Sequence, residues 1–310
     1  MEYREIGKTG MKVSNLSFGA SSLGGVFHPV KEKEGIEAVY TAIENGINFI
    51  DASPYYGHLK AEIILGKALK NIDRSEYYLS TKVGRYGKDG LNYWDYSAKK
   101  ARLSVYESME RLHVDYVDLI NIHDIEFSDL EMICAETLPA LVEMREEGIV
   151  KNVGLTNLTL KHLKYVIDNV PLGTVDSVLS FCHYCLNDDE LLDYLDFFEE
   201  KGIGVINASP FSMGLLTERG APEWHPAPNP LKDLCNKAME YCKGKDTSIE
   251  QLAISYSVSN PRIATTLFST SRSEAILQNI RWAELSLNEE LLKEVRSILK
   301  SRFRDTWLNS

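Results

Sequence analysis

Residues 47–84 read INFIDASPYYGHLKAEIILGKALKNIDRSEYYLSTKVG. Two short runs rich in apolar and β-branched residues, INFIDAS (47–53) and YYLSTKVG (77–84), bracket a longer stretch whose apolar residues fall at helical spacing, so the segment reads strand, helix, strand. The same alternation extends outward in both directions. VSNLSFGA (13–20) lies upstream; YVDLINIH (116–123), VKNVGLT (150–156), SVLSFC (177–182), GVINASP (204–210) and ATTLFS (264–269) follow, giving eight expected strands. Helical patterns such as EGIEAVYTAIENG, KKARLSVYESMERL, ETLPALVEMREEG, LLDYLDFFEEKG and SEAILQNIRWAEL separate them, with Gly46, Gly148 and Gly202 where helix C-caps belong. Strand and helix repeated eight times is the pattern of an α/β fold of the (β/α)8 TIM-barrel type.

A doubly wound open sheet is the runner-up, but it would carry a GxGxxG turn after its first strand, and SFGASSLGG lacks that spacing. YREIGKTGMKV, with KTG between two extended pieces, reads as an N-terminal hairpin closing one end of the barrel, and LNEELLKEVRSILKSRF as an additional C-terminal helix. RYGKDGLNYWDYS (85–97) and the Pro-rich ERGAPEWHPAPNPL (218–231) break the rhythm and are expected to be loops. With no linker or low-complexity stretch, residues 1–310 are expected to form a single domain.

The 310 residues are 44% hydrophobic and 25% charged, and 34 basic against 45 acidic side chains leave a formal charge of -11. An acidic chain with no basic run longer than two residues lacks the footprint that nucleic acid or anionic lipid requires, so neither partner is expected. MEYREIGKTGMKVS has no apolar core of a secretory signal, and no segment reaches the roughly 20 apolar residues of a membrane span, which points to the cytoplasm. Five scattered cysteines suit a reducing compartment. Cys182 and Cys185 form a C-x-x-C, but with no second close pair no metal site is expected.

In a barrel of this kind the chemistry sits at the C-terminal ends of the strands. Asp51 ends INFID, Tyr56 follows in SPYYG, Lys82 lies inside YLSTKVG, and His123 terminates YVDLINIH. They come from three consecutive strands and would meet at one mouth. Taken singly, Asp51 could cap a helix, Tyr56 could rest on the rim, and His123 could be structural. Lys82 is harder to explain away, because a lysine in the middle of a central strand needs a carboxylate, and Asp51 on the adjacent strand is the candidate. The set makes sense as a tuned phenol: Lys82 stabilises the phenolate of Tyr56, Asp51 holds Lys82, and His123 bonds the substrate oxygen or the phenol.

INFIDASPYYG, STKVG and NIHD, with GLTN on the next strand, resemble the active-site motifs of the aldo-keto reductases, and the likeness spans essentially the whole chain. Further loops, among them GASSLGGVFHPV, KVGRYG, HDIEF, LSFCHY and NASPFSMGLLTERGAPEWHPAP, are similar to the aldose 1-dehydrogenases of that family. The resemblance implies a (β/α)8 barrel that binds a nicotinamide cofactor, with Asp51, Tyr56, Lys82 and His123 as catalytic tetrad. It implies oxidation of an aldose of L-galactose or L-fucose type at C1 to the lactone, Tyr56 acting as general acid/base. It further implies cofactor contacts from Thr156, Asn157, Ser180, Ser209, Ser269, Ser271, Arg272, Gln278 and Asn279, with NAD placed ahead of NADP. Ser180 and Ala208 stand where many family members carry Gln and an aromatic residue, a departure that leaves stacking on the nicotinamide without its usual partner. Tyr55, Trp94, His183, Trp224 and His225 are expected at the sugar, with Tyr93 beside them. The alternatives are a broad NADPH-dependent aldehyde or ketone reductase, and a weakly catalytic cofactor-binding sensor. A monomer or small homo-oligomer is expected.

Overall fold

The computed structural model describes residues 1–26, 28–88, 91–305 and 307. Eight parallel strands close into a barrel. Among the described residues the strands are, in chain order, β1 (Tyr3–Glu5), β2 (Lys12–Ser14), β3 (Leu16–Gly19), β4 (Phe49–Asp51), β5 (Tyr78–Val83), β6 (Arg85–Lys88), β7 (Leu91–Trp94), β8 (Val117–Ile122), β9 (Val150–Asn157), β10 (Ser177–Phe181), β11 (Gly204–Ala208) and β12 (Thr265–Phe268). The barrel runs β3, β4, β5, β8, β9, β10, β11, β12 and back to β3, closed where Thr266 of β12 registers with Leu16. Each barrel strand is followed by a helix that returns along the outside. Gly46, Gly148 and Gly202 all take positive φ (90°, 79° and 73°), the left-handed conformation a C-cap needs and glycine supplies without a Cβ penalty.

The period of two along each strand sorts the side chains. On β4, Ile50 faces the helical layer while Phe49 and Asp51 face the barrel axis; on β8, Ile120 and Ile122 face out while Leu119 and Asn121 face in. The expected N-terminal hairpin is present: β1 pairs antiparallel with β2, Tyr3 opposite Ser14 and Glu5 opposite Lys12. Its Ile6, Met11 and Val13 pack with Phe49, Leu119, Leu179 and Ile206, so it seals the N-terminal end of the barrel with apolar surface. Residues 13–20, expected as one strand, divide between β2 and β3, because Ser14 Oγ donates to the Leu16 carbonyl (2.8 Å) and folds the chain between them.

Residues 85–97 differ from the expected loop. β6 and β7 form an antiparallel hairpin, Arg85 opposite Trp94 and Tyr86 opposite Tyr93. Tyr86 is buried, and its hydroxyl accepts the Gly84 N–H (2.9 Å), which gives the hairpin an anchored face. Positions 89 and 90, the Asp-Gly pair between the two strands, lie outside the described residues. The second expected loop holds to Pro228, after which Asn229–Lys243 is helical. The additional C-terminal helix spans Glu289–Leu299, its start capped by Asn288 Oδ1, which accepts the Leu291 N–H (3.0 Å). Among the described residues no helix is long and apolar enough to cross a membrane.

Candidate active site

The inward-facing positions of β4, β5 and β8 converge at the C-terminal mouth. Lys82 is 1% exposed and Asp51 3%, and the two form an ion pair. Lys82 Nζ also donates to the Ala52 carbonyl (2.8 Å). Asp51 Oδ1 accepts from Ser80 Oγ (2.9 Å), and Ser80 in turn accepts from Asn121 Nδ2 (2.9 Å), so three neighbouring strands hold the carboxylate in place. Tyr56 sits over this pair, with Lys82 Nζ 4.9 Å from its ring centroid. The loop carrying Tyr56 is fixed by backbone contact with the loop after β3. Gly57 adopts φ +61°, and a Cβ there would stand 2.0 Å from the Gly24 carbonyl oxygen, so only glycine permits the approach.

Burial weighs against the Lys82 ammonium, but Asp51 and the Tyr56 phenol more than offset that, and its pKa lies above the ordinary lysine value. The tuned phenol expected from the sequence needs correction. Burial pushes Tyr56 up to about 12, with Asp51 and Asp124 adding to the rise and Lys82 opposing it. The cation limits the cost of forming the phenolate; it does not bring the phenol to neutrality. His123, 4% exposed, meets both tyrosine rings edge to face, Tyr56 at 5.7 Å and Tyr55 at 5.9 Å. Burial, Lys82 and Arg85 hold its pKa well below the ordinary histidine value, so the ring is neutral.

A cavity of about 420 Å³ opens above these groups, within the size range of small-ligand sites. Asp51, Tyr55, Tyr56, His123, Thr156, Ser209 and Ser269 line it, each anticipated from the sequence, and Lys82 lies directly beneath. Others stand away from the wall. Asn157 uses its amide to accept the Glu126 N–H (3.1 Å) and donate to the Thr159 carbonyl (3.0 Å). Ser180 alternates with the inward Leu179, and its buried Oγ has no hydrogen-bond partner among the described residues. Ser271, Arg272, Gln278 and Asn279 lie beyond the cavity, at the entrance to and within the helix Ser273–Ala283.

Among the expected sugar residues only Tyr55 lines the cavity. Trp94 packs on Phe127 with ring centroids 5.2 Å apart. His183 is buried and bonded through Nδ1 to Asp188 Oδ1 (3.2 Å). Trp224 is 53% exposed, and His225 is buried with Nε2 at the Ser212 carbonyl (3.0 Å), an anchor for the loop after β11. Tyr93 is on β7 with its hydroxyl on Asp95 (3.2 Å).

Three charged residues on the wall were not anticipated. Arg85 pairs with Asp124, donates from Nη2 to the Tyr55 hydroxyl (2.9 Å) and stacks on that ring with Cζ 3.8 Å from its centroid. Asp124, in the left-handed region at φ +49°, has its pKa raised by burial against the opposing pull of Arg85. Arg219, on the loop after β11, reaches across the mouth to Nε2 of His28 on the loop after β3. Both Arg85 and Asp124 directly follow active-site strands, in STKVGR and NIHD; that position was the signal available in the sequence.

The Aldo/keto reductase family model matches residues 15–300. The chain is 46% identical to L-galactose dehydrogenase of Arabidopsis thaliana, over 99% of this chain and 97% of that protein. It is 33% identical to D-arabinose 1-dehydrogenase of Saccharomyces cerevisiae, over 80% of this chain and 76% of that one. An aldo-keto reductase from Bacillus halodurans, solved in its holo form, superimposes with a TM-score of 0.80 at 25% identity, covering 96% of each chain. With the closed parallel barrel and the lysine–aspartate pair beneath a tyrosine at its mouth, these likenesses identify the chain as a member of the aldo/keto reductase family.

Proposed function

We propose that this oxidoreductase oxidises a free aldose of L-galactose or L-fucose type at C1, giving the lactone and a reduced nicotinamide cofactor. The observation that carries the reading is Lys82. A fully buried ammonium is costly, and the fold provides a carboxylate and a carbonyl to hold it beneath the Tyr56 ring and an open cavity. Nothing in the packing of an apolar barrel requires such a cation. Its use is to stabilise negative charge on Tyr56 while the phenol exchanges a proton with a sugar oxygen.

The cavity suits a nicotinamide dinucleotide. Leu179, Phe181 and Phe211 offer apolar surface to a ring, while Ser269, Arg219 and His28 offer polar and cationic groups at one edge to phosphate. Thr156 and Ser209 would hold the nicotinamide end and Ser269 the pyrophosphate end, with Arg272 beyond. NAD is the preferred form: a 2'-phosphate calls for a guanidinium bound in bidentate fashion, Arg219 already engages His28, and Arg272 stands outside the cavity wall. The bound cofactor supplies the hydride acceptor. Tyr56 takes the proton of the C1 hydroxyl as the C1 hydrogen leaves with its electron pair, and the C1–O bond becomes the lactone carbonyl. In the opposite direction Tyr56 begins protonated, its resting form at neutral pH, and acts as the acid. His123 donates a hydrogen bond to the reacting oxygen. The ring hydroxyls of the sugar are read by Arg85, Asp124 and the Tyr55 hydroxyl, a polar wall that a simple aldehyde would leave unused.

The test is a spectrophotometric panel of free aldoses against NAD and NADP. Turnover with L-galactose or L-fucose that vanishes in Tyr56→Phe is expected. Higher efficiency on simple aldehydes with NADPH than on any free sugar would overturn the reading in favour of a general reductase, and cofactor binding without turnover on either class would leave a sensor.

A further inference from the structure

We propose that Ser53 is a positioning residue that fixes which nitrogen of His123 carries the proton: its hydroxyl donates to Nδ1 and keeps the hydrogen of the neutral ring on Nε2. The inference rests on hydrogen-bond accounting around one buried atom. Ser53 is 0% exposed, and among the described residues its Oγ meets two partners, the Tyr55 backbone N–H (3.1 Å) and His123 Nδ1 (3.0 Å). The Tyr55 N–H can only donate, so it occupies one lone pair of Oγ. The hydroxyl proton still needs an acceptor, and Nδ1 is the one within reach.

The alternative tautomer fails on both edges of the ring. With the hydrogen on Nδ1, Ser53 would receive two donors and its own buried O–H would be left without an acceptor, a loss comparable to a broken hydrogen bond. The bare Nε2 lone pair would then face Asp124 Oδ2, 3.6 Å away, whose carboxylate is held by Arg85. With the hydrogen on Nε2 both conflicts disappear. The other groups around the ring do not reverse this preference. Lys82 and Arg85 are cations that disfavour a second proton, and Tyr55 and Tyr56 present ring edges and faces.

The consequence is a division of labour. A neutral imidazole whose Nδ1 is filled from behind can offer an N–H toward the cavity, but it cannot take up the proton that leaves the substrate. His123 therefore directs the oxygen, and proton transfer falls to Tyr56. The proposal depends on the dehydrogenase reading for the identity of that oxygen and not for the tautomer itself, which belongs to the protein without substrate.

The primary experiment is ¹⁵N–¹H correlation spectroscopy of the full chain labelled at histidine, with the His123 signals assigned through His123→Gln among the seven histidines. The wild-type protein is expected to show His123 as the Nε2–H form across neutral pH; an Nδ1–H pattern, or a charged ring, overturns the proposal even if the enzyme oxidises aldoses as described. Ser53→Ala is expected to move the signals toward a mixture of tautomers and to lower kcat/KM for the aldose about tenfold while leaving cofactor affinity unchanged. Ser53→Thr, which keeps the hydroxyl, is expected to restore the pattern. An Ala variant with the wild-type pattern and wild-type kcat/KM sinks the proposal. Absence of aldose turnover in a wild-type protein with the Nε2–H pattern sinks the dehydrogenase reading and leaves the tautomer assignment standing.

Discussion

The two ends of the barrel are built from the same strands and solve opposite problems. β4 contributes Phe49 to the apolar seal made with Ile6, Met11 and Val13, and two residues later, on the same face, contributes Asp51 to the ion pair with Lys82. On β8 the inward series runs Leu119, Asn121, His123, from the seal to the mouth. One end gains stability by removing apolar surface from water. The other accepts buried charge, whose desolvation cost tends to cancel the attraction it gains. The contrast separates what the fold requires from what the chemistry requires.

That division can be attacked from the mouth first. Tyr56→Phe keeps the ring and its packing and removes the titrating oxygen; kcat for aldose oxidation is expected to fall by about a thousandfold with the thermal midpoint nearly unchanged, as measured by initial rates and melting. Asp51→Ala leaves Lys82 buried without its partner, and a loss of about 3–5 kcal/mol in denaturant unfolding is expected. The double variant Asp51→Leu, Lys82→Met should recover most of that stability and none of the activity. If it recovers neither, the pair belongs to the fold rather than to the chemistry. At the sealed end, Leu119→Ala is expected to cost about 2–5 kcal/mol in the same unfolding experiment while KM stays unchanged at temperatures where the variant is folded.

The pH dependence sharpens the contrast without disturbing either end. With the Tyr56 phenol at about 12, the basic form needed for oxidation grows tenfold per unit below that value, so log kcat/KM for oxidation should rise with pH from neutrality upward while reduction stays flat. Lys82→Met removes the charge that opposes the rise in this pKa, and the ascending limb should move to still higher pH. The smallest effect is expected at the sugar wall. Arg85→Met should raise KM for the aldose by about tenfold and change the rate with a simple aldehyde much less; equal losses on both substrates would remove Arg85 from substrate recognition.

Much of this was legible in the sequence, because the barrel declares itself through period. Strand-length apolar runs alternate with helical ones, and each of the eight expected strands is met by a strand at that place. The meeting of Asp51, Tyr56, Lys82 and His123 was legible too, since each stands at the end of a strand or just after one. Partnerships between distant segments were not. Ser53 and His123 are 70 residues apart, and Arg219 and His28 are 191 apart, so no local pattern marks either. Trp224 and His225 read as sugar contacts because they are aromatic residues in a long loop, but His225 binds the Ser212 carbonyl and belongs to the loop's own architecture. The stretch forming β6 and β7 reads from the sequence as a loop, because Gly84, Gly87 and Lys88 interrupt its alternation and the pairing of Arg85 with Trp94 shows only in the fold.

The seam of the barrel has a bearing on how the chain reaches this state. β3 hydrogen-bonds to β12, and at the upper end of that seam Ser269 Oγ donates to the Gly19 carbonyl (2.6 Å) and accepts the Ser22 N–H (2.9 Å). Residues near the start of the chain therefore wait for residues near its end, some 250 positions later. Until synthesis delivers β12, the partial sheet carries two open edges, one of them β3, that invite pairing with a neighbouring chain. Closure of the seam removes both edges and completes the wall around Ser269 in one event, so competence for ligand and resistance to aggregation should appear together during refolding.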